Sequence, residues 1–251
     1  MLCPFHADII MLISKPAKSF AIILFLICFL TSCDKLFPKN GVEKQYYPSG
    51  VVSLEQTYRH GKLDGISREY YPNGKLKAEV NFKDGVLEGS FRSYYPNGQD
   101  WEKRTFVNGK REGESVIYFV NGNLQFKGEF TDGKMTGPIR SYWPNGQLQA
   151  DALYANGLID GAVKTYSQTG VLIKEESYSR GVREGVARAY YESGQLMEEA
   201  HFKSNALDDV YRKYDESGKL IEETVYKDGK PVQSEYTVPL SGTIPPGSYG
   251  Q

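Results

Sequence analysis

The feature that most limits what this chain can fold into is a glycine that returns every 24 residues without an insertion, at Gly50, Gly74, Gly98, Gly122, Gly146, Gly170, Gly194 and Gly218. A fixed period of this length marks a stack of equivalent supersecondary units, each burying surface against its neighbours. A second series runs at the same period through Gly61, Gly85, Gly109, Gly133, Gly157, Gly181 and Gly229, with Asn205 in the missing place. Asn tolerates positive φ better than most side chains, so that series is chemically unbroken. A third series, Gly65, Gly89, Gly113, Gly137, Gly161 and Gly185, gives way to Asp209 and Gln233.

The residues around these glycines define two kinds of turn. In Tyr71-Pro72-Asn73-Gly74 the proline presets the first turn dihedral and the glycine supplies a left-handed residue, the chemistry of a hairpin closed with a bulge. Asp84-Gly85, Asn108-Gly109, Asp132-Gly133 and Asn156-Gly157 signal two-residue hairpins. Gaps of 11 and 13 residues between successive turn glycines leave about six to eight residues for each strand and no room for helices. Leu76, Ala78, Val80 and Phe82 alternate with Lys75, Lys77, Glu79, Asn81 and Lys83, as a sheet with one wetter face requires. Glu102 and Arg104 intrude on that alternation one repeat later.

Two aromatic columns follow the same period. Tyr46, Tyr70, Tyr94, Tyr118, Tyr142, Tyr166, Tyr190 and Tyr214 hold one position, and Tyr58, Phe82, Phe106, Phe130, Tyr154, Tyr178, Phe202 and Tyr226 another. Both columns read as packing between repeats, because a single-layer sheet has little else to bury. The residue after the first column is more variable and faces the other side of the strand. Tyr71, Tyr95, Phe119, Trp143 and Tyr191 are therefore the candidate partner-binding residues, with Trp143 the foremost exposed contact. Acids at Glu55, Glu79, Asp151, Glu175, Glu199 and Glu223 recur with a base position thirteen residues on, held by Arg68, Arg92, Arg140, Lys164, Arg188 and Arg212. The third repeat replaces both with Lys103 and Val116, while the fourth, with Lys127 and Arg140, breaks the pattern. The acids and bases read as cross-strand pairs of structural character.

The first 33 residues differ from the rest. Lys15 and Lys18 precede an apolar run over 20–30 that ends at Leu30-Thr31-Ser32-Cys33. This order reads as an export signal over 1–32, with Met11 a candidate true start, and its apolar core falls well short of the roughly 20 residues a membrane-spanning helix needs. Leu30-Thr31-Ser32-Cys33 resembles a bacterial lipobox, which implies lipid attachment at Cys33 and localisation to the cell envelope. Cys3 and Cys28 lie in the leader, so the mature chain would hold no disulfide. Residues 33–41 read as a short linker, 42–233 as the repeat array, and 234–251, rich in Ser, Gly, Pro and Thr, as a partly disordered tail.

Tyr94-Tyr95-Pro96-Asn97-Gly98 and Phe82-Lys83-Asp84-Gly85-Val86-Leu87-Glu88-Gly89 resemble the bacterial variant of the MORN repeat, and the resemblance covers 42–233. It implies an all-β fold: an elongated, twisted single antiparallel sheet of eight tandem 24-residue β-hairpins, in a family whose members include YwqK-type antitoxin components. Val120 for Pro and Asp100 for Leu depart from that pattern, as do Asn205 and Asp209, and these departures put local regularity in question.

Nothing in the sequence builds an active site. His60 and His201 lie at unrelated repeat positions with no cysteine beside them, so neither metal nor catalytic residues are expected. No Gly-Lys-Ser/Thr follows the glycine-rich turns, and no cofactor is implied. Lys+Arg 30 against Asp+Glu 31 are spread along the chain, which argues against a nucleic-acid surface. What remains is a non-enzymatic envelope lipoprotein whose array binds another protein. An antitoxin or immunity role is the alternative, and binding of cell-wall glycan or lipid head groups by the aromatic face is a third.

Overall fold

The computed structural model describes residues 39–232. The export signal, Met11, Cys33 and the tail over 234–251 lie outside the described residues. The chain divides into two compact units between Gly133 and Lys134. The first carries the strands from Gly41–Tyr46 to Leu124–Thr131, and the second those from Lys134–Tyr142 to Lys230–Pro231. Every strand pairing within each unit is antiparallel and joins neighbours in the chain, except that Asp100–Val107 and Leu196–Lys203 also pair with Gly113–Tyr118 and Asp209–Tyr214, respectively, past the two-residue strands Lys110–Arg111 and Ala206–Leu207. The fold is all-β among the described residues, made of tandem hairpins at the 24-residue period.

Turn chemistry produces this meander. At Tyr71-Pro72-Asn73-Gly74 the Gly74 amide donates to the Tyr71 carbonyl at 2.8 Å, and the Tyr71 amide donates to Lys75 at 2.8 Å. Gly74 has φ +80°, and the ladder shifts register at Glu69/Tyr70. This is the bulged hairpin that the proline and glycine dictate. At the opposite edge Asp84 and Gly85 both take positive φ, +49° and +85°, between the directly paired Lys83 and Val86. That is the mirror-image turn whose twist matches its strands.

The strands are mostly eight or nine residues long. Two are interrupted, between Arg111 and Gly113 and between Leu207 and Asp209. The loss of turn glycines does not explain the breaks, since Gly109 and Gly113 flank the first. At the second, Asn205 and Asp209 hold φ +70° and +83°, the conformation glycine would have supplied. The left-handed backbone survives the substitutions, because short polar side chains tolerate that region, although the strand is broken before Asp209.

Burial separates the two faces. In Leu148–Ala155 the side chains of Ala150, Ala152 and Tyr154 are buried, whereas Leu153 between them is 49% exposed. In the first unit Val80, Phe91 and Phe106 form the core cluster, with Ala78, Phe82 and Leu87 packed against it. The Phe91 and Phe106 rings meet edge to face at 6.5 Å, a favoured arrangement worth about 0.5–1.5 kcal/mol beyond the area buried.

His60, Arg180 and Ser204 occupy the first position of the mirror-image turns with φ near +50°, where a side chain other than Asn or Asp is strained. Replacing Arg180 with Asn should raise stability by ~0.5–1 kcal/mol, read as a higher urea midpoint at unchanged m-value. An unchanged midpoint would show that Arg180 is not held left-handed.

Candidate functional site

Most repeated side chains are committed to joining one repeat to the next. The Tyr71 hydroxyl donates to the Tyr94 carbonyl at 2.8 Å, Tyr95 to Tyr118 at 2.7 Å, and Tyr191 to Tyr214 at 2.8 Å. The Trp143 indole N–H donates in the same way to Tyr166 at 3.0 Å, and Tyr47 to Tyr70 at 2.7 Å. Tyr71, Tyr95, Phe119, Trp143 and Tyr191 are all half-buried. Phe119 has no side-chain donor, but its backbone closes the turn with Asn123 at 2.8 Å. Trp143 is thus a stitch between repeats rather than a fully presented contact. Its bond was not legible because the acceptor is a backbone carbonyl 23 residues on, brought near only by the strand register.

The opposite edge is stitched by its turn amides. Gly85 donates to the Leu63 carbonyl at 2.7 Å, Gly109 to Leu87 at 2.9 Å, Gly157 to Met135 at 2.9 Å and Gly181 to Ile159 at 2.7 Å. The preceding turn residue donates to an acid of the previous repeat, Asn108 to Glu88 at 2.8 Å and Ser204 to Glu184 at 2.8 Å. Each such bond contributes about 0.5–1.5 kcal/mol, more where the acceptor is a carboxylate.

The open face carries what these ties leave over. Across the second unit a row of directly opposed residues alternates in sign through Arg140, Asp151, Lys164, Glu175, Arg188, Glu199, Arg212 and Glu223. The close contacts join each base to the acid eleven residues later: Arg188 to Glu199 at 2.7 Å and Arg212 to Glu223 at 2.8 Å. The thirteen-residue pairs expected from the sequence are opposed in register but farther apart, as in Glu199 to Arg212 at 3.8 Å. In the first unit the row runs through Lys44, Glu55, Arg68, Glu79 and Arg92 and then breaks, with Arg92 opposite Lys103 and Lys103 opposite Val116. Beside this row lies a column that changes from repeat to repeat: Thr57, Asn81, Thr105, Glu129, Leu153, Ser177, His201 and Val225. Within it Thr105, Glu129, Leu153 and Val225 are exposed.

Besides buried serines such as Ser67 and Ser167, the buried face carries buried carboxylates at Glu102 and Glu176. In the first unit Glu102 and Arg104 lie two apart on Asp100–Val107, with side chains only 6% and 9% exposed, and form an ion pair. Arg104 is opposed to Phe91 and Glu102 to Ser93, and the Arg104 guanidinium sits 5.6 Å from the Phe91 ring centre. Arg111, opposed to Phe106, stands 5.1 Å from the Phe130 ring centre. Burial, reinforced by repulsion from Arg111, pushes the Arg104 guanidinium down to about 9, and burial also lowers Arg111. In both cases burial opposes the charged form, a standing cost of keeping two guanidiniums out of water. Arg104 Nε and the Ser93 and Ser115 hydroxyls are buried without a hydrogen-bond partner.

Three repeats later the same positions hold Lys174, Glu176 and Arg183. Here the carboxylate is central, contacting Lys174 at 3.1 Å and also pairing with Arg183. The Arg183 guanidinium lies 3.6 Å from the Phe202 ring centre, although its Nε has no hydrogen-bond partner. Among the described residues no three His, Cys, Asp or Glu side chains are placed to hold a metal ion.

The MORN repeat variant family matches the chain at residues 39–60, 63–84, 87–108, 135–156, 159–180, 183–204 and 210–228. No curated protein matches it. Among solved structures, similarity is found to chains in the crystal structures of TcdB2-TccC3-Cdc42, at 14% identity and TM-score 0.16 over 76% of this chain, and of TcdB2-TccC3-TEV, at 12% identity and TM-score 0.16 over 75%. This chain spans only 12% of the length of each.

The buried pair allows a direct test of its cost. Arg104→Val alone should lower stability by ~3–5 kcal/mol by stranding Glu102. The double variant Glu102→Ala/Arg104→Val, which copies Ala78 and Val80 of the preceding repeat, should match or exceed the parent by up to ~4 kcal/mol. Chemical denaturation reads both, and a double variant as unstable as the single one would contradict the assignment.

Proposed function

Because the chain belongs to the MORN repeat variant family, we propose that it is a non-enzymatic protein-interaction module held at the bacterial cell envelope by lipid on Cys33. The observation that carries this reading is the division of labour among repeat positions. Invariant positions are consumed by turns, packing and ties between repeats, while the open face of each unit varies, through Thr57, Asn81, Thr105 and Glu129 in the first and Leu153, Ser177, His201 and Val225 in the second. A surface whose frame is fixed and whose side chains vary by position suits recognition of one macromolecular partner rather than turnover of a small molecule.

The edge aromatics have a supporting role in this reading. Tyr71, Tyr95, Trp143 and Tyr191 fix the spacing of the turns through their polar ends and present only part of each ring, so Phe119, with no such bond, is the least constrained contact among them. The lipid places the array at a membrane surface, and envelope proteins are the partners within reach. The immunity reading is served by the same surface, with a toxin acting in the envelope as the partner.

The test uses the lipid-anchored chain as bait in envelope extract. A saturable protein partner is expected, with affinity at least tenfold weaker for Leu153→Asp at an unchanged melting temperature. Cys33→Ser should abolish palmitate labelling and release the chain from membranes. Sedimentation with purified peptidoglycan in the absence of any saturable protein partner would overturn the reading in favour of glycan binding.

A further inference from the structure

We infer that the buried face of the first unit contains a receptor for a carboxylate, formed by Arg104 and Arg111 between Phe91 and Phe130 and completed by an aspartate or glutamate of the protein partner. The inference rests on the interaction-module reading and names the chemistry recognised at one point of it.

The second unit supplies the comparison. Glu102, Arg104 and Arg111 occupy the same repeat positions as Lys174, Glu176 and Arg183, each 72 residues on. Both trios hold one carboxylate and two cations, in different order. Glu176 sits in the middle and pairs with both cations, and Lys174, its side chain 30% exposed, keeps access to water. In the first unit the carboxylate is at the end of the trio. Glu102 pairs with Arg104, and Arg111 has no acidic partner among the described residues; it is opposed to Phe106 and stands over the Phe130 ring.

Phe106, which Arg111 opposes, lies two residues after Arg104 on the same face of the strand, so the register sets two guanidiniums side by side in a poorly solvated site. An aromatic face does not replace a carboxylate for a buried guanidinium, and an uncompensated buried charge is among the costlier features a fold can keep. An unpartnered arginine Nε is common to both trios, at Arg104 and Arg183, and in the second unit Glu176 Oε1 also lacks a hydrogen bond. What the first unit adds is the buried, unpartnered Ser93 and Ser115 hydroxyls, donors of the kind a carboxylate takes up. Arg111 is half-buried, whereas the Arg104 side chain is only 9% exposed and already paired with Glu102, so an incoming acid approaches through Arg111. A carboxylate there would do for Arg104 and Arg111 what Glu176 does for Lys174 and Arg183.

Arginine Nε–Hε resonances of the chain carrying Cys33→Ser, titrated with sodium acetate against sodium chloride at equal ionic strength, read this directly. Saturable shifts are expected at Arg104 and Arg111 and not at Arg183. Glu102→Lys/Arg104→Glu installs the second unit's order and should abolish the Arg111 response. Arg111→Leu, which leaves the Glu102–Arg104 pair intact, should abolish the Arg104 response, and it keeps the test decisive if the double variant does not fold. A linear drift shared by all arginines, an equal response at Arg183, or saturation by inorganic phosphate but not acetate would each overturn the inference. A partner captured by the array should bind Arg111→Leu at least tenfold more weakly. Indifference to that change sinks the carboxylate receptor and leaves the interaction module standing. Finding no protein partner sinks the module, while acetate saturation still reports the receptor.

Discussion

In a two-residue hairpin the amides of the turn point away from their own strands, and an isolated hairpin leaves them to water. Here they are the fastening between repeats. Gly109 donates to Leu87 and Asn108 to the Glu88 carboxylate, so both amides of one turn are satisfied by the preceding repeat. The tyrosine and tryptophan bonds do the same at the other edge. A single-layer sheet buries little apolar surface per strand, and paired ladders alone fix neighbours only along their shared border. Ties at both edges prevent adjacent hairpins from sliding, which explains why the period admits no insertion: one extra residue would move a donor off its acceptor and turn every following side chain to the wrong face.

Charge is arranged within that frame in two different ways. On the open face the alternating row is solvated and each pair is worth little by itself, but a slip in register would place like charges opposite one another, so the row acts chiefly as a register device. On the buried face Glu102 with Arg104, and Lys174 with Glu176 and Arg183, stand where other repeats place Ala78 and Val80, or Ala150 and Ala152. Burying these charges is not required by the fold, since Ala78 and Val80, and Ala150 and Ala152, fill the same columns, although Glu198 and Glu222 also stand in the first of them. The reason for a charge there is sought in recognition, and the unequal pairing of Arg111 and Arg183 gives that reason a chemical form.

Much of the fold was legible because its decisive residues carry their own dihedral requirements. Gly74 after Pro72-Asn73, and Gly85 after Asp84, announce two different turns from local chemistry alone, and the spacing between them sets the strand lengths. Asn205 was read correctly as a glycine equivalent for the same reason. The site was less legible because it depends on juxtaposition. Trp143 looked like an exposed contact since nothing local reveals that the Tyr166 carbonyl lies within reach of its indole N–H. Glu102 and Arg104 stood out as breaks in the alternation, but their relation to Arg111 appears only when the register is known. Aligning the 102, 104 and 111 columns with 174, 176 and 183 was the signal available beforehand.

The central claim is that turn amides hold one repeat to the next, and native-state hydrogen exchange at the glycine amides of the mirror-image turns tests it most directly. Gly85, Gly109, Gly157 and Gly181 should exchange as slowly as the amides of their flanking strands, through the same openings. Exchange of these four amides at the rate of unstructured chain, while the strands stay protected, would show that the hairpins are not tied at their edges and would contradict the account.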